Sequence, residues 1–261
     1  MEVFRLLDKS NCGRCGEKTC LAFAGAVFLG RRGLSECPSV PAETIASFGA
    51  APPAPPPDDR EAYIRSFSQK VAGLDLEEAA RRLGADFSGG RLTLKVLGKD
   101  VGVDQSGRIY SDIHQNPWVV VPFLMYVLEG RGAVPTGSWV SLRELKDGYE
   151  YYPLFEERCD KVFKKVADVY PDLFDDMAHL FGGKPVPALF RADISVVLHP
   201  FPRLPLMVCY WKPEDGMDSD FHVFFDETAD RNLDIRSLFT LGAGIAQMFT
   251  KIAARHGFKV D

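Results

Sequence analysis

Residues 11–30 read N-C-G-R-C-G-E-K-T-C-L-A-F-A-G-A-V-F-L-G, and S-E-C-P follows at 35–38. The spacing is Cys12-x2-Cys15-x4-Cys20-x16-Cys37-Pro38, which gathers four of the six cysteines within 26 residues. The other two, Cys159 and Cys209, are isolated. In an exported protein such a run is a disulfide framework. Here M-E-V-F-R-L-L-D-K-S-N-C has no basic segment leading into a long apolar one, so a cytoplasmic protein with reduced thiols is expected. Under those conditions a dense cysteine run reads as a metal site.

A [4Fe–4S] cube asks for four thiolates at tetrahedral corners. One short loop supplies three, and sixteen intervening residues leave room for a helix and a return to the fourth. The spacing predicts that helix over 19–30, with Cys20 in its first turn, where free amides and the positive dipole end favour an anionic group. Gly13 and Gly16 permit a tight loop. Two other readings stand beside this one. Structural zinc usually takes two C-x2–4-C knuckles, of which only the first pair here has the form. A cube serving structure alone is the second.

The segment resembles the four-cysteine iron–sulfur domain of the corrinoid iron–sulfur protein large subunit, and a similar domain occurs in an electron-transport subunit of Rnf-type complexes. The likeness covers roughly residues 5–40 and fills every ligand position, with the T-C-x-A-F-A run and the closing C-P agreeing. It implies a low-potential [4Fe–4S] centre with Cys12, Cys15, Cys20 and Cys37 as ligands.

A-P-P-A-P-P-P-D-D at 51–59 holds five prolines and favours extended polyproline II. It reads as a spacer at 49–59 between a small domain, 1–48, and a larger one, 60–261; a proline-rich surface loop is the alternative. The larger domain mixes its elements. Apolar spacing predicts one or two helices over 60–83. Residues 91–96 and 101–103 read as strands around a turn at 98–100, with Ser106-Gly107 marking the next. A buried helix is expected over 118–129 if Pro122 lies in its first turn. Another is expected over 158–181 with a break near Pro171. Strands follow at 194–198, 206–211 and 221–225, and an amphipathic helix over 238–256. Strands neighbour strands, so the fold class is α+β.

V-P-T-G-S-W-V-S-L-R-E-L (134–145), F-P-R-L-P-L-M-V-C-Y-W (201–211) and H-V-F-F-D-E (222–227) resemble the domain-of-unknown-function family numbered 3786, which brings no activity with it. The candidate residues here each carry two readings. Trp139, Arg143 and Glu144 line a cleft, or belong to a capped helix with a packed Trp after the Thr136-Gly137 turn. His199, in L-H-P-F-P-R, is a metal or corrinoid ligand, or a residue of a rigid surface loop. Asp226 is catalytic, or caps the next segment. Cys159 and Cys209 read as packed thiols. Asp172, Asp175 and Asp176 read as a solvated helix face. Tyr149, Tyr151, Tyr152 and Phe155 suit a planar cofactor or a core.

The net charge of −5 lacks the positive field that phosphate backbones attract, so nucleic acid is not an expected partner. The apolar run at 118–128 is about half of what a bilayer span needs, roughly twenty residues, so direct membrane insertion is not expected. No P-loop, dinucleotide fingerprint or nucleophile elbow is present. The expected function is electron transfer or redox support in anaerobic metabolism, with a ferredoxin-like or corrinoid-protein partner. An enzyme drawing electrons from the cluster, a corrinoid-binding accessory and a module with a structural cluster are the alternatives.

Overall fold

A computed structural model describes residues 2–28, 32–47, 60–112, 114–187, 189–214 and 216–259. The proline-rich segment lies outside the described residues, as does Arg31. The chain divides into two compact units, residues 1–62 and 63–261.

The smaller unit holds α1 (Glu2–Arg5), α2 (Cys20–Phe28) and α3 (Ala42–Ser47), with a 3-10 turn at Leu34–Glu36. Its core is a short apolar cluster of Val3, Leu7, Phe23, Ala24, Val27, Leu34 and Val40, into which Cys20 and Cys37 are packed. So small a core buries little apolar surface, and such domains usually gain stability from a metal or cross-link.

The 60–83 region, which belongs to the larger unit from Tyr63 on, forms two helices, α4 (Arg60–Val71) and α5 (Leu76–Leu83). Asp75 caps α5 by accepting the Glu77 and Glu78 amides, and Gly84 ends it in the left-handed conformation. An antiparallel meander follows: β1 (Asp86–Ser88), β2 (Arg91–Val96), β3 (Lys99–Asp104) and β4 (Ile109–Ser111). The β2–β3 turn has Leu97 at φ +48° and Gly98 at +80°. A leucine is strained in that conformation; its burial in the core holds it there.

Helix α6 (Pro117–Glu129) starts at Pro117, so Pro122 lies inside it and not in its first turn. Pro117 occupies the opening position, where a missing amide costs nothing. Pro122 is buried, and packing around an apolar helix offsets the lost i→i−4 bond. After the Thr136-Gly137 turn the chain forms strand β5 (Trp139–Ser141) and a 3-10 turn at Leu142–Glu144 instead of a helix, because β5 pairs antiparallel with a later strand. The 158–181 region opens earlier than expected, with α7 (Tyr152–Phe155) and a π-helical turn at Glu156–Asp160. It continues as α8 (Lys161–Val169), breaks at 170–172 as expected of Pro171, and resumes as α9 (Leu173–Phe181).

The second sheet has the order β5-β9-β8-β7-β6, all antiparallel, with β6 (Lys184–Pro185), β7 (Ile194–Phe201), β8 (Leu204–Trp211) and β9 (Asp220–Asp226). Seven of the eight residues of β8 are buried, the pattern of a strand covered on both faces. His199 lies within β7 and not in a loop. The register shifts between Leu198 and Phe201, which accommodates Pro200, and the connection shrinks to the Pro202-Arg203 turn. Helices α10 (Ala229–Asn232) and α11 (Ile235–Arg255) close the chain, and Leu238, Leu241, Ile245 and Phe249 of α11 lie in the centre of the core. The architecture is α+β. Among the described residues no helix is long and apolar enough to cross a membrane.

Candidate metal centre

The cysteine loop is built from left-handed residues. Asn11 has φ +53°, Gly13 +71° and Gly16 +83°, a conformation asparagine and glycine tolerate best. Asn11 ties the loop to the start of α2 reciprocally: its side-chain oxygen accepts the Cys20 amide at 2.8 Å, and its own amide donates to Cys20 Sγ at 3.3 Å. Thr19 accepts the Ala22 amide at 3.1 Å. Cys20 therefore opens the helix as expected, but two first-turn amides already have side-chain partners.

Cys20 and Cys37 are buried, Cys15 packs against the same apolar cluster, and Cys12 is exposed. The Arg14 amide holds the Cys12 thiol below its ordinary range, with the Ser10 hydroxyl adding to it. That favours the thiolate, the form that binds metal. Cys37 follows the 3-10 turn, which Glu36 caps by accepting the Gly33 amide at 2.7 Å. Glu36 also pairs with Arg32 at 2.7 Å, and that guanidinium lies 3.0 Å from where a β-carbon on Gly16 would stand. A cation thus sits beside the loop.

Among the described residues no three metal-binding side chains already converge on one point. The chemistry of the donor set nonetheless fits an iron–sulfur cluster. It is three thiols on a glycine-bearing loop with a fourth behind the 3-10 turn, and all five histidines of the chain lie beyond residue 62, so no mixed Cys/His site is available in this unit.

In the larger unit the sequence candidates mostly take structural positions. Glu144 accepts the Ser141 amide at 2.8 Å as a cap, Arg143 stacks over Tyr152 at 5.5 Å, and Trp139 packs in an apolar patch on the sheet. Asp226 is fully buried and accepts from Gly137 N at 2.7 Å and from Thr228 N and Oγ1 at 3.0 and 2.7 Å, which holds its pKa low against burial. Burial lowers the His199 pKa, and its carbonyl accepts the Leu97 amide. Cys159 and Cys209 are buried with raised pKa values, as inert thiols are. Asp176 accepts the Tyr170 hydroxyl. The aromatic run is dispersed, from exposed Tyr149 to fully buried Phe155.

Sequence reasoning passed over one polar group. Asp160 ends the π-helical turn, is buried, and accepts the amide of Val223 on β9 at 3.3 Å. Its Oδ2 is 3.3 Å from His222 Nδ1, while His222 Nε2 is 3.2 Å from Asp220 Oδ2. The alternation in D-F-H-V-F-F-D, which puts Asp220 and His222 on one face, is a signal for half of it. Nothing in sequence spacing reaches back to Asp160.

Residues 75–248 match the family described as "Domain of unknown function (DUF3786)", and residues 7–39 match one described as "Putative Fe-S cluster". The chain is 44% identical over 55 residues to the corrinoid/iron-sulfur protein large subunit of Moorella thermoacetica, covering 20% of this chain and 12% of that protein. It is 45% identical over 40 residues to the acetyl-CoA decarbonylase/synthase complex subunit gamma of Methanothermobacter thermautotrophicus, covering 15% and 9%. The chain thus spans only about a tenth of the length of these relatives. No solved structure matches it significantly.

Proposed function

The chain belongs to the DUF3786 family and carries an iron–sulfur domain ahead of that region, and on that premise we propose that it is an electron-carrying accessory protein of anaerobic, cytoplasmic metabolism. The observation that carries the reading is the thiol set in its left-handed loop. Cys12, Cys15, Cys20 and Cys37 hold a [4Fe–4S] cluster, with Asn11 fixing Cys20 and the loop together. When bound, the cluster stores and releases one electron at a time. The donor is a low-potential, ferredoxin-like protein, and the acceptor belongs to a corrinoid-protein system of the kind named by the relatives.

The residues around the loop suit that role. Cys12 is exposed, so a partner can approach closely on its side. Exposed Arg14 and Lys18, and Arg32 beside Gly16, offset the negative charge added on reduction and steer an acidic donor. The larger unit docks the partner.

Anaerobic EPR with potentiometric titration of the full chain tests this. A reversible signal from a reduced cluster, with reduction by ferredoxin slowed by salt and by Arg14→Glu with Lys18→Glu, is the expected result. A cluster silent to dithionite and stronger reductants, or one destroyed on reduction, replaces the carrier reading with a structural one.

A further inference from the structure

Helix α11 changes character in its last turns. Gln247, Lys251 and Arg255 recur every four residues and form a polar stripe, and Met248 and Ile252 form an apolar stripe beside it. Both stripes line a cleft of about 380 Å³, within the roughly 300–1,000 Å³ of small-molecule sites. Its opposite wall comes from the β2–β3 turn, the start of α6 and the end of α9: Leu97 and Lys99, Trp118, and Phe181.

Trp118 is fixed there by a missing side chain. A β-carbon on Gly244 would come within 2.4 Å of the indole, so only glycine lets the ring lie against α11. The backbone of Leu97, in its left-handed conformation, is a second point of strain on the wall, and strained backbone clusters at ligand sites.

The charge of the cleft is one-sided. Lys99, Lys251 and Arg255 line it, and no aspartate or glutamate does, in a chain whose net charge is −5. Three helical cations elsewhere are matched four residues away: Arg82 with Glu78, Lys161 with Glu157, Lys164 with Asp168. Among the described residues none of the three cleft cations has a carboxylate partner. Lys251 and Arg255 are moreover like charges at i, i+4, which costs a helix about 0.2–0.5 kcal/mol. Cations at a helix C-terminus complement the dipole, but that effect requires neither Lys99 on a strand nor the apolar floor.

We infer that this cleft binds a small organic anion, its apolar body against Trp118, Leu97 and Met248 and its carboxylate or phosphate held by Lys99, Lys251 and Arg255. The apolar floor supplies affinity and the cations supply selection for charge, the division of labour usual in small-molecule pockets. The inference is independent of the redox reading.

The test is calorimetric titration of the anaerobically prepared full chain with 8-anilinonaphthalene-1-sulfonate, a flat apolar anion. One equivalent should bind, and Lys251→Gln with Arg255→Gln should weaken it about tenfold or more, as loss of charge-assisted contacts does. Lys146→Gln, outside the cleft, should leave it unchanged. Lys99→Gln, at the start of β3, serves as a second variant should the double variant unfold. Displacement of the probe by octanoate and by octyl phosphate, compared in parallel, tells which head group is preferred. Failure of the probe to bind stoichiometrically, equal binding by the cation variants, or displacement by octanol as effective as by octanoate would each overturn the proposal.

Discussion

The carboxylate of Asp160, 3% exposed, lies 3.3 Å from Nδ1 of His222, whose Nε2 faces Asp220 at 3.2 Å. Both ring nitrogens meet a carboxylate oxygen, so the arrangement is fully hydrogen-bonded only when it holds two protons, on both ring nitrogens or on Nε2 and the Asp160 carboxyl. The bond to Asp160 foremost, with Asp220 adding, pushes the His222 pKa up. Burial pushes Asp160 up to about 6, with His222 opposing it.

A pH dependence follows. Asp160 lends stability that is full below its ordinary pKa of 3.8 and is lost as pH rises through about 6. The contribution of His222 is full below 6.5 and is lost as pH rises through its raised pKa. Both act in one direction, and Asp160→Asn removes the first and the foremost cause of the second, leaving Asp220 beside the ring. Between pH 4.5 and 7.5 the stability of the parent chain should fall relative to the variant by on the order of 2 kcal/mol. Urea unfolding followed by tryptophan emission checks this, because Trp118, Trp139 and Trp211 all lie in the larger unit. A constant difference across that range would contradict the pairing.

Anaerobically prepared protein should contain about four iron and four sulfide per chain, as expected for one cube. Cys20→Ser should empty most of the site and Cys159→Ser should leave it filled, since Cys159 is buried in the other unit's core. Stoichiometric zinc without sulfide is the result that contradicts the assignment.

Asn11→Ala should shorten cluster lifetime under chelator challenge. It removes the acceptor of the Cys20 amide and places alanine at φ +53°, a combined cost of about 2 kcal/mol. Asn11→Gly restores the backbone freedom alone and should fall between the two.

Gly244→Ala should destabilise the larger unit by about 1–3 kcal/mol, the usual cost of overpacking, because its β-carbon would overlap the Trp118 ring. Pairing it with Trp118→Leu should recover part of the loss in the same urea assay.

A fragment of residues 60–261 should fold without iron, with a cooperative unfolding transition, because its core draws on both sheets and α11 and on no cysteine of the loop. A fragment lacking a transition would show that the two units fold together.

The sequence made some of this legible and hid the rest for physical reasons. The cysteine spacing, the β2–β3 hairpin, the break at Pro171 and the α+β class are local signals, carried by turn residues and by periods of two and 3.6. Pro122 was misplaced because tertiary packing overrode a local rule, and 139–141 became a strand, with a 3-10 turn after it, because β9 offered an edge. Asp160 with His222, and Lys99 with Lys251 and Arg255, are meetings of residues 62 and about 150 apart in sequence, and no local pattern encodes them.

The π-helical turn at Glu156–Asp160 winds more residues into a turn than an α-helix does. It acts as an insertion that sets α8 out of phase with α7. Out of phase, Phe155 faces α11 while Asp160 reaches the edge of β9. Deleting one residue there would restore an unbroken α-helix and rotate one of those two side chains away from its partner. The segment therefore trades helical regularity for two contacts that a regular helix presents on different faces, and a shortened relative of this chain should lack the Asp160–His222 pair altogether.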